Sequence, residues 1–334
     1  MADPTLAAWN NVTPVYLGNP AYKQNDVTYR AEPSGLTIYR DGGALWIFVV
    51  SDNGILARAQ LPATGAPDAK LDWQINPTPD ASDKAYDYES CTFAKGNLMI
   101  GIEGDRDGSA PQVQRFDQAD TGKNHQAGAF TSSAWTLDGI AFGGQTNSGM
   151  EGMTLVPWNC YPPGWTGNTE PHYQGVFFVA VQADAGQIYA YDLAQGGDGG
   201  AGTAPIDFGD QVTTLLVPDL ASAAPGDTPL ISDLFFDAGG GALYVMYDGG
   251  TDAAGGKLAN DYLQKLTVST SNDATAADAL AASWDYQLPW LNCEGVAVVG
   301  DDLYVCIDDG GSPGNNGVFV LPGALASLPP TDAT

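Results

Sequence analysis

Five short stretches of this chain set a serine or glutamate before a small or acidic residue, followed by alternating apolar side chains. They are Glu32-Pro33-Ser34-Gly35-Leu36-Thr37-Ile38, Tyr88-Glu89-Ser90-Cys91-Thr92-Phe93, Met150-Glu151-Gly152-Met153-Thr154-Leu155, Ile231-Ser232-Asp233-Leu234-Phe235-Phe236 and Cys293-Glu294-Gly295-Val296-Ala297-Val298. Ser34, Glu89, Glu151, Ser232 and Glu294 occupy one equivalent position. If the repeats surround an axis, these carboxylates and hydroxyls converge on it. Carboxylates held that close repel one another unless a proton or a cation offsets the charge. A set of oxygen donors selects a hard cation, Ca²⁺ over Zn²⁺. The expected metal ligands are therefore Glu89, Glu151, Glu294, Ser34 and Ser232.

The strand pattern around the motifs is what would place them at one level. Each motif reads as a first strand. A second, continuously apolar run follows at Leu45–Val50, Leu98–Ile100, Val176–Val181, Leu243–Met246 and Leu303–Cys306. Such runs are buried on both faces, and the Gly- and Asp-rich turns between strands make hairpins. Third strands are expected at Ile55–Leu61, Gln112–Phe116, Gln187–Leu193, Tyr262–Val268 and Gly317–Leu321. Outer strands are expected at Leu71–Ile75, Val212–Val217 and Ser283–Leu288, and that of the second repeat between Ala129 and Phe142.

Repeats spaced ~55–80 residues apart, each a four-stranded unit, predict an all-β, five-bladed β-propeller of antiparallel blades. The fifth repeat has no room for an outer strand after Leu321, so Thr13–Leu17 is expected to supply it and close the ring. A six-bladed ring, with a degenerate blade near Trp135–Phe142, is the alternative. Residues 1–334 read as one domain, with a loop insertion at 158–173 and a short flexible tail at 323–334.

First and second strands are antiparallel, so the end of one meets the start of the other on a single face. Acids at the second-strand ends therefore join the ring: Asp52, Glu103, Asp105, Asp107, Asp248, Asp252, Asp308 and Asp309. Asp52, Glu103 and Asp308 are expected to contact a ligand there. Asp105-Arg106-Asp107-Gly108 reads as half of a calcium loop without its bidentate glutamate. The insertion gathers Trp158, Tyr161, Trp165 and Tyr173, an aromatic platform that could stack on a sugar ring, and it carries His172 in a loop that could overhang the channel mouth. The four cysteines show no CxxC spacing. Cys293 and Cys306, on adjacent strands of one hairpin, are the expected disulfide.

The first-strand order Ser34-Gly35-Leu36, Glu89-Ser90-Cys91, Glu151-Gly152-Met153, Ser232-Asp233-Leu234, Glu294-Gly295-Val296 resembles the SdiA-regulated family of β-propellers (YjiK- and CarP-like). That family is loosely related to phytase-like and esterase-like propellers. The resemblance covers roughly residues 30–322. It implies an extracytoplasmic, calcium-linked propeller without an established reaction. Ser90 and Asp233 depart from the usual glycine.

Charge and composition narrow the function. Forty acidic against 12 basic side chains give a net charge of −28, which repels nucleic acid and anionic membranes. No run of 18 apolar residues predicts a membrane span. The start, Met-Ala-Asp-Pro, has no leader character, so the expected localisation is that of a mature secreted, periplasmic or cell-surface protein. There is no Gly-x-Ser-x-Gly, and the histidines are His125 and His172 alone. The expectation is a calcium-binding propeller acting as a binding or scaffold protein. Its ligand, a carbohydrate or small anion held through the metal, sits at the channel mouth. The alternative is a calcium-dependent hydrolase of phosphoesters, esters or lactones, with a channel carboxylate as base.

Overall fold

The second-strand runs decide the architecture, because each can be buried on both faces only between two neighbouring sheets. A computed structural model describes residues 7–24, 27–62, 67–77, 87–103, 111–117, 131–137, 149–182, 187–193, 206–308 and 316–328. Asp105, Asp107, Gly108, His125 and Asp309 lie outside these residues.

The chain opens on β1 (Val15–Gly18) and a hairpin of β2 (Ala21–Gln24) and β3 (Val27–Arg30). Blade one is β4 (Pro33–Asp41), β5 (Ala44–Ser51), β6 (Ile55–Leu61) and β7 (Gln74–Pro77). Blade two is β8 (Tyr88–Ala94), β9 (Asn97–Ile102), β10 (Gln112–Asp117) and β11 (Thr131–Leu137). Blade three is β12 (Met150–Pro157), β13 (Gly175–Val181), β14 (Gln187–Leu193) and β15 (Ile206–Leu216). Blade four is β16 (Thr228–Asp237), β17 (Ala242–Thr251), β18 (Tyr262–Val268) and β19 (Leu280–Gln287). Blade five is β20 (Cys293–Val299), β21 (Asp302–Ile307) and β22 (Gly317–Leu321), with β1 as its outer strand.

Strand β5 shows how alternation and double burial combine. Ile47 and Val49 enter the core shared with blade five, beside Ala297, Tyr304 and Val318. Phe48 and Val50 point the other way, into the core shared with blade two, beside Leu98 and Ile100. Truncating such a side chain to alanine costs roughly 2–5 kcal/mol.

The N-terminal strand closes the ring as expected. Val15 pairs with Val320 and Tyr16 with Phe319, while Trp290 Nε1 donates to Ala7 O at 3.0 Å. The six-bladed alternative falls. Trp135 lies on the outer strand of blade two, fully buried, and that strand pairs in parallel with β15 of blade three. Blade one's outer strand starts later than expected, at Gln74. Leu71 N and Trp73 Nε1 instead donate to Leu17 O, tying that approach to β1. The C-terminal stretch is partly docked: Gly323 N donates to Asp302, Ala324 is buried, and 3₁₀ turns span Leu325–Ser327.

The disulfide expectation is not met. Both thiols are free. Cys293 faces the core between blades four and five, with Val305 and Ile307, and Cys306 faces the core between blades five and one, with Leu36 and Tyr304. Strand adjacency fails to pair them because they lie on opposite faces of the blade.

Candidate metal centre

Every inner strand breaks its register with the second strand at the same place. The shifts fall between Pro33 and Gly35, Tyr88 and Ser90, Met150 and Gly152, Ile231 and Asp233, and Cys293 and Gly295. The unpaired residues are Ser34, Glu89, Glu151, Ser232 and Glu294. A bulge gives its extra residue no cross-strand partner and re-aims its side chain. Five equivalent bulges thus lift the repeat's polar residue out of the ladder at the mouth of the ring.

The next layer explains the small residues that follow. A Cβ on Gly35 would lie 2.5 Å from Glu89 O, and one on Gly295 would lie 2.5 Å from Cys306 Sγ and 2.9 Å from Leu36 N. Neighbouring inner strands touch here, which draws them together around the axis below the ring. Asp233 fills the remaining space, fully buried. Its Oδ1 accepts Leu234 N and its Oδ2 accepts Val296 N, both at 2.8 Å, and Leu36 N also donates to it. One carboxylate therefore ties blades four, five and one. Burial pushes its pKa well up, against the pull of these three amides. The mouth is a cup above this layer.

Within the cup the acids gather. Carboxylate oxygens of Asp87, Glu89 and Glu103 lie within 4.8 Å of one another. Glu103 is positioned by its backbone and side chain together. Its N donates to Asp87 O at 3.1 Å, and its Oε1 accepts Gly149 N at 3.1 Å. Glu151, buried, faces the same group: burial, then Glu89, Glu103 and Glu294, raise its pKa well above the usual range. Burial, then Asp87, Asp52 and Glu103, do the same to Glu89. Asp52 is pushed up to about 8 by burial, then by Glu32, Asp308 and Asp87. Its Oδ1 is buried without a hydrogen-bond partner. Each charge that shifts these groups belongs to another carboxylate.

The serines of the ring bond the backbone, and Ser34 also hydrogen-bonds the Glu89 carboxyl. Ser34 Oγ accepts Asp52 N at 3.0 Å and donates to Glu32 O at 3.2 Å. Ser232 Oγ donates to Cys293 O at 2.8 Å, joining blades four and five. Asp308 Oδ1 accepts Asn316 Nδ2 at 2.8 Å. The ring thus brings Glu89, Glu151, Glu103 and Asp52 together, while Glu294 sits with Asp248 and Asp261.

Trp158, Tyr161, Trp165 and His172 lie elsewhere. Strand β12 leaves the mouth at Met150 and ends at Pro157, so the loop that follows is at the opposite end of the ring. Tyr161 is fully buried between Trp158 and Trp165, each with ring centroids 5.8 Å away, and Trp165 leans on Phe178 at 6.3 Å. This stack covers the core between blades three and four rather than presenting a platform at the mouth. His172 Nδ1 pairs with Asp192 Oδ2 at 3.1 Å.

Acids placed just before strands were missed in the sequence: Glu32, Asp87 and Asp261. First and third strands both start at the mouth, so residues preceding them face it just as second-strand ends do.

No protein-family model matches the chain, and no curated protein matches it. Solved structures are similar at low identity. A putative 6-phosphogluconolactonase from Bacteroides uniformis ATCC 8492 is 16% identical over 81% of this chain, TM-score 0.35; the chain spans 63% of that protein's length. One from Bacteroides fragilis NCTC 9343 is 13% identical over 85% of this chain and 81% of its own, TM-score 0.39. The Cps50 (Swd1) β-propeller domain of Myceliophteria thermophila is 11% identical over 90% and 88%, TM-score 0.34.

Proposed function

We propose that the cup binds Ca²⁺ and that the protein acts outside the cytoplasm as a calcium-dependent binding protein of the SdiA-regulated type. Its ligand, a carbohydrate or small anion, would be held through the metal. The grouping of Asp87, Glu89 and Glu103 within 4.8 Å carries this reading. Glu151 and Asp52 supply further oxygens around them. Six to eight oxygens are what Ca²⁺ takes, and a rigid, bulge-held set limits the rearrangement that binding demands. The acids lie on the mouth side of the tightly packed inner strands, so a ligand completing the metal's coordination would meet them from the mouth. A surface of net charge −28 steers cations toward it.

Equilibrium dialysis of chelator-treated protein against CaCl₂, paired with Glu89→Gln, tests the proposal. Binding that Glu89→Gln abolishes at this position supports it. Absence of binding at millimolar calcium, with no change of Tm between chelator and calcium, sinks it. Turnover of aryl phosphates, aryl esters or lactones, lost on chelation, would replace the binding role with a hydrolytic one.

A further inference from the structure

Asp248, Asp261 and Glu294 form a second acidic group, between blades four and five. Asp248 Oδ1 accepts Asn292 N at 3.1 Å and Asp261 Oδ2 accepts Cys293 N at 2.8 Å, while Glu294 is the bulged residue that follows. Three successive backbone positions thus anchor three carboxylates. Asp261 and Asp248 lie within hydrogen-bonding reach of each other, as do Asp248 and Glu294. Two carboxylates in such contact need a shared proton or a cation between them.

Asp261 supplies the second observation. The residue is fully buried, yet its Oδ1 has no hydrogen-bond partner. A buried oxygen of this kind normally costs about 1–3 kcal/mol and is found satisfied. The Cys293 thiol lies beside the carboxylate, and Lys257 Nζ reaches Asn292 Oδ1 at 3.4 Å.

We propose that Asp248, Asp261 and Glu294 form a second divalent-cation site, so that the mouth holds a pair of cations, one on each side. The proposal extends the calcium reading of the same mouth but uses separate ligands. Three carboxylates and no imidazole favour Ca²⁺ here as well. With two metals, a ligand with two oxygens, such as a carboxylate or a vicinal diol, could bridge them across the cup.

Calcium stoichiometry by equilibrium dialysis separates the two claims. The wild type should bind two equivalents. Asp261→Asn, which keeps the oxygen that accepts Cys293 N, should lose one equivalent, and Glu103→Gln should lose the other. Asp248→Asn repeats the first arm should Asp261→Asn fail to fold. A single equivalent unaffected by Asp261→Asn overturns this proposal and leaves the Asp87–Glu89–Glu103 site standing. A single equivalent lost in Asp261→Asn but kept in Glu103→Gln supports this site and removes the other. Two equivalents retained in both Asp261→Asn and Asp248→Asn overturn it.

Discussion

Stripping divalent cations and then raising the pH should weaken this fold. Asp52 and Asp261 are each pushed up to about 8, from 3.8, by burial and neighbouring carboxylates. Glu89, Glu151 and Glu294 move in the same direction for the same reasons. A carboxyl whose pKa is higher folded than unfolded holds its proton better in the fold. Its stabilising share is complete below about pH 4 and is lost as pH rises through about 8. At about 1.4 kcal/mol per unit, one such group accounts for a loss on the order of 5 kcal/mol. The acids titrate as a set, each proton relieving its neighbours, so the total stays nearer one group's share than five. For 334 residues the unfolding entropy is on the order of 0.7 kcal/mol per kelvin, which converts that loss to roughly 7 °C in Tm. Calorimetry of chelator-treated protein in about 0.3 M KCl, which screens general surface repulsion, is the assay. Tm should fall between about pH 5 and pH 8. Calcium should restore it at the upper end and change little at the lower, where protons already offset the charge. Asp52→Asn should flatten the metal-free profile. A metal-free Tm that stays level or climbs over this range would refute the mutual repulsion at the mouth.

Two further outcomes follow from the layer below. Asp233→Ala leaves the amides of Leu234, Val296 and Leu36 without their shared acceptor, and should cost roughly 3 kcal/mol or more in urea denaturation. A loss under about 1 kcal/mol would show that water or another group takes over. Cys91, Cys293 and Cys306 are buried and Cys160 is half-buried, all four free. A thiol reagent should therefore find at most Cys160 in the native protein and four thiols in denaturant. A mass two hydrogens lighter before reduction would contradict this.

Blade number and ring closure were legible because they follow from local patterns. Alternating first strands, doubly apolar second strands and a fifth repeat lacking its own outer strand leave few ways to complete the ring. What the sequence concealed is direction at longer range. The loop at 158–173 is aromatic and Pro-rich, which suits either a binding platform or a packed cap. Only the sense of β12 decides, since a loop joining first to second strand must lie away from Glu151. The same rule, applied forward, would have found Asp87 and Asp261, which precede strands that start at the mouth. It would also have cast doubt on the Cys293–Cys306 pair. Once Glu294 is an unpaired residue, Cys293 lies across from Ile307 and Cys306 across from Gly295.

The bulge is the feature that links fold to site. A regular ladder would place Ser34, Glu89, Glu151, Ser232 and Glu294 in alternation with their neighbours, each paired across to the second strand. One extra residue per blade frees that position from pairing at the cost of a local break in register. Glycine at the next position in blades one, three and five then lets neighbouring inner strands pack closely, and Asp233 stitches three of them together. The carboxylates are thus held near one another by backbone geometry and not by attraction among themselves. A fold that spends three glycines and a buried aspartate on bringing like charges together is one in which a cation has a reason to bind.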